Sequence, residues 1–400
     1  MIHYFNPGNE TAILNGSPYY TPAANQVKMH QDLAFLPAWY ACYPNDIIWV
    51  EKDLPDEFKS IITGLNVVTK VVTSEKLKDC QAEVKNSVID LWGPALHDIR
   101  FFEKISRDFY LDFILPEWKT EFPALCHRNI SHRCLEFLIQ SEVEIEPDIL
   151  PRSFFRIEDI ENELQQSHVA LLAKAPYSSS GRGLQWLPPG ELHQSEKQII
   201  SGILKKQKSV SLEKVLDKKI DFAMLFYSND MGTVDFIGFS LFETNNKGAY
   251  SRNIILSQRK IKQLLEEYVG TDILERVKNQ LIIFLNKTFT SAYKGCIGVD
   301  MMIYSDNNGY KLHPCVEINM RKSMGFLSLR LYQNHCCENS SGIFSVEFNN
   351  HRGEILNNHR KNTETYPLKI ENGKIKSGYL SLCPVDEETK YLAYVLIDSD

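Results

Sequence analysis

An α/β fold with a β-rich C-terminal end is predicted by three patterns in the 400-residue sequence. Up to about residue 115, short β-rich runs alternate with helical ones, the signature of βαβ units around a parallel sheet. The middle of the chain is strand-rich and is interrupted by one long helical stretch. After about Ser340 the pattern is that of antiparallel strands with Asn-Gly turns. At roughly 150 residues per domain the length implies about two to three domains, enough to bury a sizeable core. Forty-four basic against 51 acidic side chains give a net charge of −7, which argues against a general polyanion binder and hence against nucleic acid as a partner.

In order along the chain, strands are predicted at Ile2 to Phe5, Asp46 to Val50 and Val67 to Val72. Helices are predicted at about Asn25 to Trp39, Leu54 to Leu65 and Ala95 to Ile114, each with apolar residues at three- and four-residue spacing. Between the first strand and the first helix, Asn6 to Pro22 reads as an unusually long βα loop. Such a loop at the carboxyl end of a strand is a place for ligands in open α/β sheets, and it is equally compatible with a surface Ω-loop. A helix is expected from about Ser131 to Ser141, then a Pro-punctuated extended segment, Glu146 to Pro151. Beyond it come an acidic helix at Glu158 to Gln166, a strand at Val169 to Ala175, and the long helix from about Gln258 to Ser291. No uncharged apolar run reaches the ~18 residues of a membrane helix, and the first residues lack the features of a signal peptide. Nine cysteines without CxxC spacing fit a reduced cytoplasmic protein. Cys126, His127, His132 and Cys134 have the residue types of a zinc set, but Arg128 and Arg133 would place positive charge beside the metal, so packing is the preferred reading.

Three segments carry chemistry. In the first, Ile297, Val299, Met301 and Ile303 alternate with Gly298, Asp300, Met302 and Tyr304, giving a half-buried strand with Asp300 on the non-core side. An Asn307-Asn308-Gly309 turn leads into Val316-Glu317-Ile318-Asn319-Met320-Arg321. A hairpin centred between Asn308 and Gly309 pairs residues whose numbers sum to 617, so Asp300 faces Glu317 at about 5 Å between Cβ atoms, with Asn319 and Arg321 on the same face. Facing carboxylates are destabilising unless a positive charge lies between them, and Asp, Glu and Asn oxygens suit a hard ion such as Mg²⁺. Pro314 removes a ladder donor and is a place for a bulge that shifts this register. The second segment is an apolar strand with Lys174 near its end, followed by a loop of serines and glycines from Ser178 to Gly183. It offers a point charge and approachable N–H groups to phosphates, although it lacks the Gly-Lys-Ser/Thr of a Walker loop. The third reads as strand, short connector, strand between Ser209 and Phe226, and its connector can present backbone groups to the edge of a base.

The order of these elements resembles the ATP-grasp superfamily: a strand lysine and Gly-rich lid, a hinge glutamate with a later acid, and an acidic pair ending in Glu-x-Asn-x-Arg. The match covers about residues 116 to 330. It implies a pre-ATP-grasp α/β domain at 1–115, an N-terminal subdomain with the lid at 116–205, a C-terminal subdomain with hinge and metal site at 206–335, and a β-rich extension at 336–400. It further implies that Lys174 contacts the α- and β-phosphates and that Ser179, Ser180, Gly181 and Gly183 close over the triphosphate. Glu213, Val215 and Leu216 would hold adenine and Asp221 the ribose. Asp300, Glu317 and Asn319 would bind one or two Mg²⁺ ions, with Mn²⁺ as an alternative, and Arg321 would steady the transferring phosphoryl group. Arg133 stands near the place of the family's second phosphate-binding lysine. Arg252 is the candidate for binding the donor carboxylate, with Arg182 and Arg330 as alternatives, and His313 could serve as a base.

The activity so implied is an ATP- and Mg²⁺-dependent ligase that activates a carboxylate as an acyl phosphate and couples it to an amine. Its partners would then be a small carboxylate and a small amine, with no nucleic acid and no membrane, and many relatives are homodimers. A kinase that stops at a phosphorylated product and a nucleotide-binding regulatory protein without turnover are the competing readings.

Overall fold

A computed structural model describes residues 1–67, 70–141, 144–178 and 183–398. The chain forms two compact units, the first comprising Met1–Lys119, Arg252–Ile261 and Arg321–Asp400 and the second Thr120–Ser251 and Lys262–Met320.

The first unit begins with four parallel strands: β1 (Ile2–Tyr4), β2 (Ile47–Trp49), β3 (Lys70–Val72) and β4 (Ile89–Leu91), in the order β3-β2-β1-β4. Strand β1 is central and wholly buried, as a strand covered on both faces must be. Its core contains Trp49, Phe102 and Ile105, the last two from the helix Leu96–Phe109. Strand β4 escapes sequence detection because Asp90 interrupts its short apolar run. The long loop after β1 contains a further helix, Asn9–Asn15, bounded by Gly8 and Gly16 at φ +85° and +70°. Seven residues are too few to establish a helical period.

Asp90 is tolerated in this sheet because it belongs to a charge network. His3 Nδ1 lies 2.6 Å from Asp90 and its Nε2 3.3 Å from Asp46, while Lys322 Nζ donates to Asp90 at 2.6 Å. Burial disfavours charged His3, but the two carboxylates win and its pKa is raised. Burial likewise opposes the charges on Asp46 and Asp90, yet His3, and at Asp90 also Lys322, hold both near about 2. The histidine contribution to stability is therefore complete below its unfolded pKa of about 6.5 and is lost as pH rises through the higher folded value; the carboxylate contribution is lost as pH falls from about 4 towards 2. His3→Gln should cost about 3 kcal/mol by urea unfolding near about pH 5.5 and distinctly less near about pH 9.5. Equal losses at both pH values would contradict the charged state assigned to His3.

In the second unit, β5 (Arg152–Phe154), β6 (Leu171–Lys174), β7 (Leu184–Leu187) and β8 (Val210–Lys214) form an antiparallel sheet in the order β5-β8-β6-β7. Leu171, Ala173, Val210 and Leu212 enter a core with Ile160, Leu164 and Ile200. The alternation that buries them sends Leu172, Lys174, Ser211 and Glu213 to the opposite face. A two-residue connector leads from β8 into β9 (Asp217–Ser228), which pairs with β10 (Val234–Thr244). Strand β11 (Tyr250–Ile255) carries the chain across the boundary, and from Arg252 onward it lies in the first unit. The predicted long helix breaks at Gly270, φ +74°, before the helix Thr271–Phe289, whose Leu274, Val277, Leu281 and Phe284 are buried. Strands β12 (Gly295–Asp306) and β13 (Gly309–Asn319) complete this unit, so that β13, β12, β9 and β10 lie side by side.

The first unit is completed by β14 (Gly342–Phe348), β15 (Lys369–Glu371), β16 (Lys374–Ser381) and β17 (Tyr391–Ile397), with β11 beside β14 and the order β14-β17-β16-β15. The β-rich tail is thus present, with an additional helix, Glu354–Thr365. Its Asn372-Gly373 turn has φ of +53° and +74°, the conformation that two-residue hairpins require. Among the described residues no helix is long and apolar enough to cross a membrane.

Candidate active site

The acidic pair is set by the β12–β13 ladder. Asp300 lies directly opposite Glu317, and Gly298 opposite Asn319. The turn is centred one residue earlier than the sequence suggested: Asp306 pairs with Gly309, and paired numbers sum to 615 as far as Met302 and His313. Between there and Asp300 the register shifts, with Pro314, Cys315 and Val316 standing against Met301 alone, and the sum becomes 617. The bulge thus restores the predicted pairing, and because it adds two residues every side chain keeps its face. One face of the sheet carries His313, Asp300, Glu317 and Asn319 and, through the registers Met302↔Asp221 and Asp300↔Ala223, also Asp221. Its other face is apolar, with Phe222, Met224, Val299 and Ile303 each fully buried.

The cation that lets this pair coexist is Arg128, at the start of the helix Asn129–Gln140. Its Nη2 donates to Glu317 at 3.0 Å and to Ser178 Oγ at 3.0 Å, and its Nε donates to the Ala175 carbonyl at 3.0 Å. One buried guanidinium therefore ties the chain just beyond Lys174 to the acidic hairpin. Arg133 lies on the exposed side of the same helix, because Ser131, Cys134, Leu135 and Leu138 form the buried stripe. Ser131 Oγ accepts the Ile318 N–H at 2.9 Å and fixes the helix to β13. Asn319 Nδ2 donates to Asp300 at 3.0 Å.

Lys174 and Glu213, 4% and 8% exposed, form an ion pair on the polar face of the other sheet. Two histidines lie within reach of this charge. Burial, helped by Arg128 and Lys174, lowers the His132 pKa to about 4; burial and Lys174 lower that of His313 to about 3. Both imidazoles are neutral near pH 7. Sequence reasoning missed Arg128 and the setting of His132, although the buried stripe of that helix is visible in its i, i+3, i+4, i+7 spacing.

The hinge connector borders a cavity of about 250 Å³ lined by Val215, Leu216, Tyr304, Ser305 and several acids. The Val215 N–H donates to the Ala170 carbonyl at 3.1 Å, and the Leu216 carbonyl accepts the Lys218 N–H at 2.9 Å. Asp221 accepts hydrogen bonds from Lys218 Nζ and from Thr244 Oγ1 at 2.9 Å. Gly183, φ +81°, closes the predicted phosphate loop by accepting the Ala175 N–H at 3.0 Å, and an added Cβ would lie 3.0 Å from that of Ala175. Ser179, Ser180, Gly181 and Arg182 lie outside the described residues. Arg321 stands two residues beyond the end of β13 and belongs to the first unit, where its Nε donates to Glu10. Arg252 is also in the first unit, on β11 opposite Ser345.

Among the described residues no three His, Cys, Asp or Glu side chains are grouped to hold a metal by themselves. The donors at the hairpin are two carboxylates and an amide oxygen, a set that fits a hard divalent ion whose remaining positions are filled by water and phosphate. The second unit thus combines this donor set with two buried cations, Lys174 and Arg128, and a cavity at the hinge connector.

Neither a protein-family model nor a curated protein matches the sequence. Among solved structures the chain is similar to N5-carboxyaminoimidazole synthetase from Staphylococcus aureus, with a TM-score of 0.50 and 12% identity over 100% of this chain and 93% of that one. It is also similar to a biotin carboxylase–β-γ-ATP complex from Campylobacter jejuni, with a TM-score of 0.50 and 11% identity over 100% of this chain and 87% of that one. The chain has the ATP-grasp fold that its motif order resembles.

Proposed function

We propose that this protein is an ATP-dependent, ADP-forming ligase that joins a small carboxylate to a small amine. The observation that carries the reading is the face-to-face Asp300–Glu317 pair with Asn319 beside it, held by a buried arginine that also grips the chain following Lys174. The fold neighbours, one of them in complex with β-γ-ATP, are compatible with it.

In this proposal Lys174 and Arg128 bind nucleotide phosphates, with Arg128 taking the place first considered for Arg133. The Val215 carbonyl and the Leu216 N–H at the hinge cavity offer an acceptor and a donor to the edge of adenine. Glu213 supports the base, and Asp221 accepts from the ribose. Asp300, Glu317 and Asn319 would hold one or two Mg²⁺ ions, or Mn²⁺ in their place. When bound, the metal neutralises phosphate charge as it develops during transfer. A carboxylate oxygen of the substrate forms a bond to the γ-phosphorus as the bond to the ADP oxygen breaks. The amine then attacks the acyl carbon, phosphate leaves, and the amine proton passes to solvent or to the leaving phosphate. The chain's own contribution is position and charge: buried cations presented in a site of low polarisability act more strongly than they would in water. By the resemblance Arg321 would steady the transferring phosphoryl group, and Arg252, with Arg182 and Arg330 as alternatives, is a candidate for binding the donor carboxylate.

The test is ADP formation from ATP with Mg²⁺ across pooled carboxylic acids and amines, with product masses read in parallel. ADP and phosphate released only when both an acid and an amine are present is the expected result. A phosphorylated product formed without an amine would favour a kinase, and AMP release would contradict the proposed chemistry.

A further inference from the structure

Among the described residues, two buried groups near Lys174, one on each of the two sheets of the second unit, have a polar atom without a hydrogen-bond partner. His313, on β13, is 2% exposed and its Nδ1 has no hydrogen-bond partner; Ser211, on β8, is 5% exposed and its Oγ has none. Leaving such atoms unpaired inside a protein is costly, so unpaired buried groups that share a site are candidates for ligand contacts. Ser211 is the direct cross-strand neighbour of Lys174, and His313 lies close enough to Lys174 to feel its charge. His313 is also one pair-step along the same face from Asp300 and Glu317, towards the row of Tyr304 and Lys311, and Tyr304 lines the hinge cavity. His313 therefore lies between the acidic hairpin and the hinge cavity, and Ser211 lies level with Lys174, two residues before Glu213 on the way to the hinge.

We infer that His313 and Ser211 are specificity-determining residues that hydrogen-bond the purine base of the nucleotide. This rests on the nucleotide-binding reading given above. The chemistry favours a base over a phosphate. A neutral imidazole offers one donor and one acceptor, and a hydroxyl offers both, which matches the mixed donor and acceptor edge of a heterocycle. Phosphate oxygens accept only and are served by Lys174 and Arg128. A site with fixed polar groups also rejects a base whose edge leaves them unpaired, so the pair would set the choice between adenine and guanine.

The experiment is calorimetric titration of the full chain with ADP and with GDP, alongside thermal unfolding without ligand. His313→Phe keeps the ring and removes the polar atoms. It should weaken ADP binding about tenfold and shrink the preference for ADP over GDP, while the ligand-free melting temperature stays level or rises because an unpaired buried group has gone. His313→Asn, whose side-chain amide reaches the position of Nδ1, should recover most of the ADP affinity, and Ser211→Ala should lose it in part. If His313→Phe fails to fold, the Asn and Ala variants carry the comparison. A folded His313→Phe or Ser211→Ala that binds ADP within about twofold of the unaltered protein, or that loses affinity with its base preference intact, would overturn the assignment. Failure of the unaltered protein to bind either nucleotide would instead refute the nucleotide site itself.

Discussion

Glu317→Gln is expected to lower ATP turnover about a thousandfold while leaving a folded protein. The change keeps size and hydrogen-bonding capacity but removes the charge that faces Asp300 and pairs with Arg128 at 3.0 Å. In the proposed metal site the hairpin is then left with Asp300 as its one carboxylate. Arg128 keeps its bonds to Ala175 and Ser178. The cost in stability is therefore that of one charged hydrogen bond at a half-buried carboxylate, about 1–3 kcal/mol. Initial rates at saturating Mg²⁺ and a urea titration of the same sample separate the two effects. Turnover within about tenfold of the unaltered protein would remove Glu317 from the proposed metal site.

The second large effect is at Lys174. It and Glu213 are buried together, so Lys174→Met strands a carboxylate in the interior and should cost about 3–5 kcal/mol of stability. Lys174→Met combined with Glu213→Leu removes both charges and should regain most of that loss, because an apolar pair of similar volume is often as stable as a buried ion pair. ATP binding should stay weakened in the double variant, since Arg128 alone remains to meet the phosphates. Recovery of both stability and binding in the double variant would contradict the role given to Lys174.

Much of this site was legible in the sequence because its residues obey the period of two. Asp300, Glu317 and Asn319 fall on the predicted face, and Lys174, predicted near the end of a strand, is the last residue of β6. The predicted Asp300–Glu317 pairing holds through two compensating departures, an earlier turn and a bulge at Pro314. A one-residue shift would have reversed the face, whereas a two-residue bulge cannot. The period fails at Arg321 because β13 ends at Asn319. Arg128 was hidden for a different reason: its three bonds reach Ala175, Ser178 and Glu317, partners 47 to 189 residues away, and no local spacing records such contacts. Strand β4 and the helix Asn9–Asn15 were missed because charge and shortness erase the periodic signal, although tertiary contacts such as those of Asp90 sustain the structure.

The central claim is that the protein transfers the γ-phosphoryl group of ATP to a carboxylate before an amine captures the acyl group. It is tested most directly with a carboxylate substrate labelled with ¹⁸O in both oxygens, supplied with its amine, ATP and Mg²⁺, and with the released phosphate read by mass spectrometry. Passage through an acyl phosphate leaves one labelled oxygen on each phosphate, in step with ADP. Product formed with unlabelled phosphate would contradict the account.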